Sequence, residues 1–214
     1  MKYTANVIGG TGLVGHQLIL KLLVHPEIEK VRSFVRRGSA MTHPRLEEIE
    51  IDFDKPQSWN HLVQGDVLFS TLGTTIKTAK TKENQYKVDY TYQFQFAKAA
   101  FENGIEAYVL VSSIGANAKS RVFYSRLKGE LEEAISKLSF HKLIIFRPSI
   151  LDGRRAERRD GELIGLAISR VLTKFILKKY RPTPIHLLAD RMIGASLDPH
   201  RGIRVREGIE ILAE

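Results

Sequence analysis

The sequence predicts an α/β chain built on a doubly wound, mainly parallel sheet with a small C-terminal extension. Three observations predict it. Short apolar runs alternate with helix-length amphipathic stretches from Tyr3 to Phe146. A glycine-rich turn, Gly9-Gly10-Thr11-Gly12-Leu13-Val14-Gly15, joins the first run to the first helix. The run Ala107 to Val111 is continuously apolar, as a strand covered on both faces requires. Strands alternating with helices imply parallel βαβ units joined by right-handed crossovers, with any ligand at the carboxyl ends of the strands.

Each element follows from its local pattern. Tyr3 to Ile8 alternates loosely and is too short for a helix, whereas Leu13 to Val24 places Leu13, His16, Leu20, Leu23 and Val24 on one helical stripe. Val31 to Val35 reads as the second strand, Ile49 to Phe53 as the third, and Val67 to Leu72, stopped by Gly73, as the fourth. Residues 84–103 are helical in pattern. Tyr86, Val88, Phe94, Phe96, Ala97 and Ala100 supply the apolar positions, and Asn103-Gly104 is the stop signal. A fifth strand at 107–111, a helix at 121–138 and a strand at 142–146 complete the alternation, and 183–214 reads as short strand and helix pieces.

With 214 residues, 43% of them apolar, the chain can bury one large core and is short for two full domains. No apolar stretch approaches 18 residues and no charged segment leads into an apolar export signal, so the expectation is a soluble, cytoplasmic protein. The absence of cysteine excludes disulfides and thiolate chemistry. His16, His25, His43, His61, His141, His186 and His200 show no ligand spacing, and no metal is expected. The net charge of +9 is uneven. Residues 47–54 are acidic, while 147–181 carries Arg147, Arg154, Arg155, Arg158, Arg159, Arg170, Lys174, Lys178, Lys179 and Arg181.

The glycine turn carries two spacings at once, G-x-G-x-x-G from Gly10, Gly12 and Gly15 and G-x-x-G-x-x-G from Gly9, Gly12 and Gly15. Missing side chains there permit a tight turn, a close approach of backbone to pyrophosphate, and packing of the helix on its strand. The free amides and dipole of the helix then favour the anion. At the end of the second strand, where an acidic residue would take ribose hydroxyls, stand Arg36 and Arg37. A guanidinium can fork onto a 2′-phosphate, which makes NADP(H) the expected cofactor. The plainer alternative is two surface arginines closing a basic strand end.

Tyr124-Ser125-Arg126-Leu127-Lys128 is Y-x-x-x-K in a helical stretch, so phenol and ammonium share a face at i and i+4. The fifth strand ends in Ser112-Ser113, eleven residues before that tyrosine. Hydride transfer to a carbonyl needs a proton for the developing alkoxide. A phenol, ordinarily near pKa ~10, serves poorly unless a cation stabilises its phenolate. Lys128 would supply that charge and bind ribose, and Ser113 would polarise the carbonyl.

On G-G-T-G-L-V-G, Thr71-Leu72-Gly73-Thr74-Thr75, Ser112-Ser113, Y-S-R-L-K-G-E (Tyr124 to Glu130) and Phe146-Arg147-Pro148, the chain resembles the short-chain dehydrogenase/reductases with their Rossmann fold. It resembles more closely their atypical branch, similar to the Tat-interacting tumour-suppressor protein. Arg155-x-Glu157-x-Arg159-x-Gly161-Glu162 looks like that branch's R-x-E-x-R-x-G-E loop. The resemblance implies one NAD(P)-binding domain over 1–214, with 149–214 as its substrate-side segment. It also implies pyrophosphate contacts from Gly9, Gly12 and Gly15, with Gly10, Thr11, Leu13 and Val14 adjoining. Arg36, with Arg37 beside it, would meet the 2′-phosphate, Asp52 and Phe53 the adenine, and Leu72, Gly73 and Thr74 the neighbouring ribose. Tyr124 and Lys128 would serve both cofactor and chemistry. One departure stands out: the helical asparagine of the general family's proton relay is here Asp89.

The expected function is therefore an NADPH-dependent oxidoreductase that reduces a small carbonyl substrate, with Ser113, Tyr124, Lys128 and Asp89 as the catalytic set. The alternative is a cofactor-sensing protein whose occupancy controls a partner. The basic amphipathic segment 161–181 is open to three readings: a cap on the cleft or sheet, a peripheral membrane contact, or a subunit contact. No motif supports nucleic-acid binding.

Overall fold

The computed structural model describes residues 2–152 and 181–213. The R-x-E-x-R-x-G-E stretch at 155–162, and all of the basic segment 161–181 except Arg181, lie outside the described residues.

The N-terminal half runs β1 (Tyr3–Ile8), α1 (Leu13–Val24), β2 (Ile28–Val35), β3 (Leu46–Glu50), β4 (Val67–Ser70), α2 (Ile76–Ala79) and α3 (Lys82–Tyr86). A π turn over Lys87–Tyr92 leads into α4 (Gln93–Glu102). Then come β5 (Ala107–Val111), α5 (Phe123–Ser136), β6 (Lys142–Arg147), β7 (Leu151–Asp152), β8 (Thr183–Pro184), α6 (Ile185–Leu197) and β9 (Gly202–Glu207).

Seven strands form one sheet in the order β3-β2-β1-β4-β5-β6-β9, and every pairing in it is parallel. The strand order reverses between β1 and β4, which opens a crevice at their carboxyl ends. Alternate residues of each strand feed two cores. On one face Ala5, Val7, Phe69, Val109 and Phe146 pack with α1 and α6, and on the other Ile8, Leu68, Leu110 and Ile145 pack with α4 and α5. The second core also stacks Trp59 on Phe96 with ring centroids 4.0 Å apart. At the sheet edge, β9 has a described neighbour on one side only, and it leaves Ile203 55% exposed and Val205 exposed beside it.

Four expectations change. In α1 the buried face is Val14, Leu18, Ile19, Leu22 and Leu23. His16, Leu20 and Val24 point to solvent, Val24 being 77% exposed. The helix is apolar nearly all round, so periodicity does not fix its phase; contact with both the sheet and α6 does. The third strand is Leu46–Glu50 rather than 49–53, because its charges pair across to β2, Glu47 meeting Lys30 at 2.7 Å and Arg32 at 3.0 Å. The fourth ends at Ser70, where the amide and hydroxyl of Thr71 both turn onto the carbonyl of Ile8, at 3.0 and 2.8 Å. The single helix expected at 84–103 is α3, a π turn and α4, and its buried side chains include the polar Gln85, Asp89 and Gln93.

Candidate functional site

The glycine turn sits at the crevice. Gly9 adopts φ +81°, and a Cβ there would lie 2.5 Å from the amide nitrogen of Leu72. The turns after β1 and β4 therefore touch through backbone. A Cβ on Gly15 would come within 2.2 Å of the Gly9 carbonyl oxygen and 2.5 Å of Thr71 Oγ1. Gly12 caps α1 without a side-chain hydrogen bond, and the first turn holds no acidic residue. The first-turn amides, on Leu13, Val14 and Gly15, are donors that a helix cannot satisfy itself, and their dipole favours an anion.

Beside this turn lies a cleft of about 910 Å³ lined by Thr11, Arg36, Arg37, Glu50, Ile51, Asp52, Phe53, Asp54 and Tyr92. Four residues expected at the adenosine end thus line one cavity. Phe53 is nevertheless buried, with its ring 5.2 Å from Tyr92 and 5.6 Å from Phe96. Two of the cleft's acids are balanced locally. Asp54 pairs with Lys87 at 2.7 Å and accepts from Tyr92 at 2.8 Å, and these bonds, Lys87 foremost, hold its carboxyl below the usual range. Asp52 lies 3.3 Å from Lys55. Among the described residues neither Arg36 nor Arg37 has an ion-pair partner.

Tyr124 and Lys128 stand one turn apart on α5. Tyr124 is 39% exposed, and Lys128 Nζ lies 5.9 Å from the centre of its ring. Lys128 itself is buried and pairs with Asp89 Oδ1 at 2.8 Å, the two side chains being 3% and 1% exposed. Asp89 Oδ2 accepts from the amide of Thr74 at 2.9 Å. The carboxylate therefore ties the loop after β4 to α5 and does not reach the open cleft. Burial by itself would push the Lys128 ammonium down, but Asp89 foremost, with Tyr124 and Glu132, outweighs it and raises it. A cation raised on folding stabilises fully below the ordinary lysine value, and that contribution is lost only as pH climbs past the raised one. The pair is intact through the neutral range.

Ser112 and Ser113 separate in role. Ser112 is buried and donates to Glu132 Oε1. Ser113 is half-buried, and among the described residues its hydroxyl has only a 3.5 Å contact with the carbonyl of Ile114. Glu132 in turn receives the Arg147 guanidinium, Nε at 3.1 and 3.2 Å and Nη2 at 2.6 Å, while Arg147 Nη1 reaches Glu207 at 3.0 Å. Arg147, counted above with the basic C-terminal excess, is thus a structural cation between two carboxylates. The sequence reading missed Gln85 and Gln93 altogether. Their four-residue spacing on either side of Asp89, a polar stripe within an otherwise apolar helix face, is the signal that would have found them.

A family model described as NAD(P)H-binding matches residues 9–160. Protein FMP52-1, mitochondrial, of Scheffersomyces stipitis is 36% identical over 199 residues, covering 91% of this chain and 84% of its own. By structure, the chain is similar to the Bordetella bronchiseptica enzyme WbmH in complex with NAD+ (TM-score 0.74, 16% identity, 97% of this chain and 76% of that one). It is also similar to a Burkholderia cenocepacia short chain dehydrogenase in complex with NADP (TM-score 0.67, 17% identity, 98% and 90%). These two likenesses show the fold. The expectation of a cytoplasmic protein is overturned, since relatives from several fungi carry the name of mitochondrial proteins. An export signal would bear only on the secretory route. The relatives at this level of identity are FMP52 proteins rather than the Tat-interacting protein. With most of its length matched, the chain belongs to the NAD(P)H-binding family and, within it, to the group of the FMP52 proteins.

Proposed function

We propose that the chain is an NADP(H)-dependent oxidoreductase that reduces a small carbonyl compound, built on the atypical short-chain dehydrogenase/reductase plan. The observation that carries this reading is the face of α5, where an accessible phenol stands one turn above a buried, ion-paired ammonium, on the crevice side that also holds the glycine turn. The cradle at Gly9 and Gly15, which a Cβ would fill, fits a pyrophosphate, and Arg36 and Arg37 in the cleft, without an ion-pair partner among the described residues, fit a 2′-phosphate. A bound nicotinamide dinucleotide supplies the hydride. Ser113 Oγ, lightly engaged among the described residues, donates a hydrogen bond to the substrate carbonyl oxygen. Tyr124 Oη delivers the proton to that oxygen, and Lys128, held in place by Asp89, favours the resulting phenolate through its field.

The reading is tested by following NADPH consumption over a panel of aldehydes and ketones. Tyr124→Phe is expected to lower kcat/KM by at least about 100-fold. Equally slow turnover of every substrate by wild type and variant would overturn it. Arg36→Ala is expected to weaken NADPH about 10- to 100-fold and leave NADH unchanged, since a charge-assisted hydrogen bond of about 1.5–3 kcal/mol is lost. Equal affinity of the wild-type protein for both cofactors removes the NADP assignment.

The Asp89–Lys128 pair also favours a second reading. A carboxylate 2.8 Å from the ammonium offsets part of its pull on Tyr124, which suits a protein that binds the dinucleotide and reports its presence to a partner. Cofactor-dependent capture of a partner that survives Tyr124→Phe would select this reading over turnover.

A further inference from the structure

The helix that carries Asp89 is irregular at the point where Asp89 sits, in the π turn Lys87–Tyr92 between α3 and α4. Such turns are uncommon and need something to hold them. Three polar side chains spaced by four residues point inward here, Gln85, Asp89 and Gln93, all of them buried. Each is tied to the end of β4 or the loop that follows. Gln85 Nε2 donates to the carbonyl of Thr74 at 3.4 Å, and the amide of Thr74 donates to Asp89 Oδ2 at 2.9 Å. The hydroxyl of Ser70, the last residue of β4, donates to Gln93 Oε1 at 2.7 Å. Gln93 closes the figure by donating Nε2 to the main-chain carbonyl of Asp89 at 2.9 Å. A fully buried amide whose two ends are both used, among Phe96, Ala97 and Ala100, does more than fill volume.

We propose that Gln93 is a positioning residue, one that bridges Ser70 to the Asp89 carbonyl and so holds the π turn in the register that aims the Asp89 carboxylate at Lys128. The inference rests on the reading of Lys128 given under Proposed function. Its physical basis is rotational. If the turn relaxes to α geometry, a residue is absorbed and the positions before it rotate by about 100° about the helix axis. Asp89 then swings away, and a buried ammonium loses its partner. Among the described residues the groups that face Lys128 are Asp89 from the π turn and Tyr124 and Glu132 from its own helix, so of these Asp89 alone depends on that register.

The test uses the full chain labelled with ¹³C-lysine, the Lys128 resonance being assigned through Lys128→Arg. In the wild type, Lys128 is expected to titrate above the ordinary lysine range. Asp89→Asn, the reference, lowers that titration. Gln93→Met keeps the volume and removes both hydrogen bonds. It is expected to lower the Lys128 titration by at least one pH unit, to reduce kcat about tenfold and to leave the KM for NADPH within twofold. Gln93→Glu keeps the acceptor for Ser70 but lacks the donor to the Asp89 carbonyl, and it decides by the same readout if the methionine variant does not fold. An unchanged Lys128 titration in the Gln93 variant, alongside a shift in Asp89→Asn, overturns the proposal. The resonance reports whether or not a substrate is found, so failure of the oxidoreductase reading is seen separately, in the carbonyl panel and Tyr124→Phe.

Discussion

Replacing Arg147 by methionine is expected to destabilise the protein by about 3–5 kcal/mol, read as a lower urea midpoint at neutral pH. The guanidinium forks onto both oxygens of Glu132, whose side chain is only 7% exposed, and its other arm holds Glu207 at the end of β9. Removing it strands a carboxylate that has little water to turn to. Arg147→Lys is expected to fall between, because an ammonium cannot match two oxygens with parallel N–H bonds. The double change Arg147→Met with Glu132→Met should recover much of the loss, since a buried ion pair is worth far less against an apolar pair than against its own remnant. A cost below about 1 kcal/mol for the single change would reduce the network to an ordinary surface pair.

The second large effect is expected at Gly9→Ala. Two penalties add there. The positive φ costs an L-residue about 1–2 kcal/mol, and a methyl placed 2.5 Å from the Leu72 nitrogen forces backbone apart for about 1–3 kcal/mol more. The turns after β1 and β4 can relieve the clash only by separating, which opens the crevice where they meet. Affinity for NADPH and NADH should therefore fall together, by about 100-fold, in an isothermal titration, unlike the one-sided loss expected for Arg36→Ala. Retention of either cofactor at wild-type affinity would move the pyrophosphate away from this turn.

What the sequence reveals of this molecule depends on how local the cause is. The glycine turn, the strand at 107–111 and the Tyr124–Lys128 spacing are written in neighbouring residues, and the architecture follows from their order. The buried face of α1 is not, because Leu20 and Val24 are as apolar as Leu18 and Leu22, and only contact with the sheet and α6 decides between them. Glu132 and Arg147 look like solvated charges until α5 and β6 bring them together. Asp89 could be singled out from the motif. That its carboxylate would be spent on Lys128 and on the amide of Thr74 depends on contacts between residues distant in the chain, which no periodicity encodes.

The edge strand β9 bears on whether the sheet can be extended by another strand. An outer strand with solvent-facing isoleucine and valine is a template for pairing with a second copy. In β9 those residues alternate with Arg204 and Arg206, which take the opposite face of the pleat. A like-for-like antiparallel docking of two such strands in register would bring arginine against arginine across the new seam, and like charges directly opposed are disfavoured, although Asp198, 3.1 Å from Arg204, offsets part of that charge. Self-association through this edge is thus resisted by the strand's own alternation, and the pattern that completes the sheet also discourages its extension.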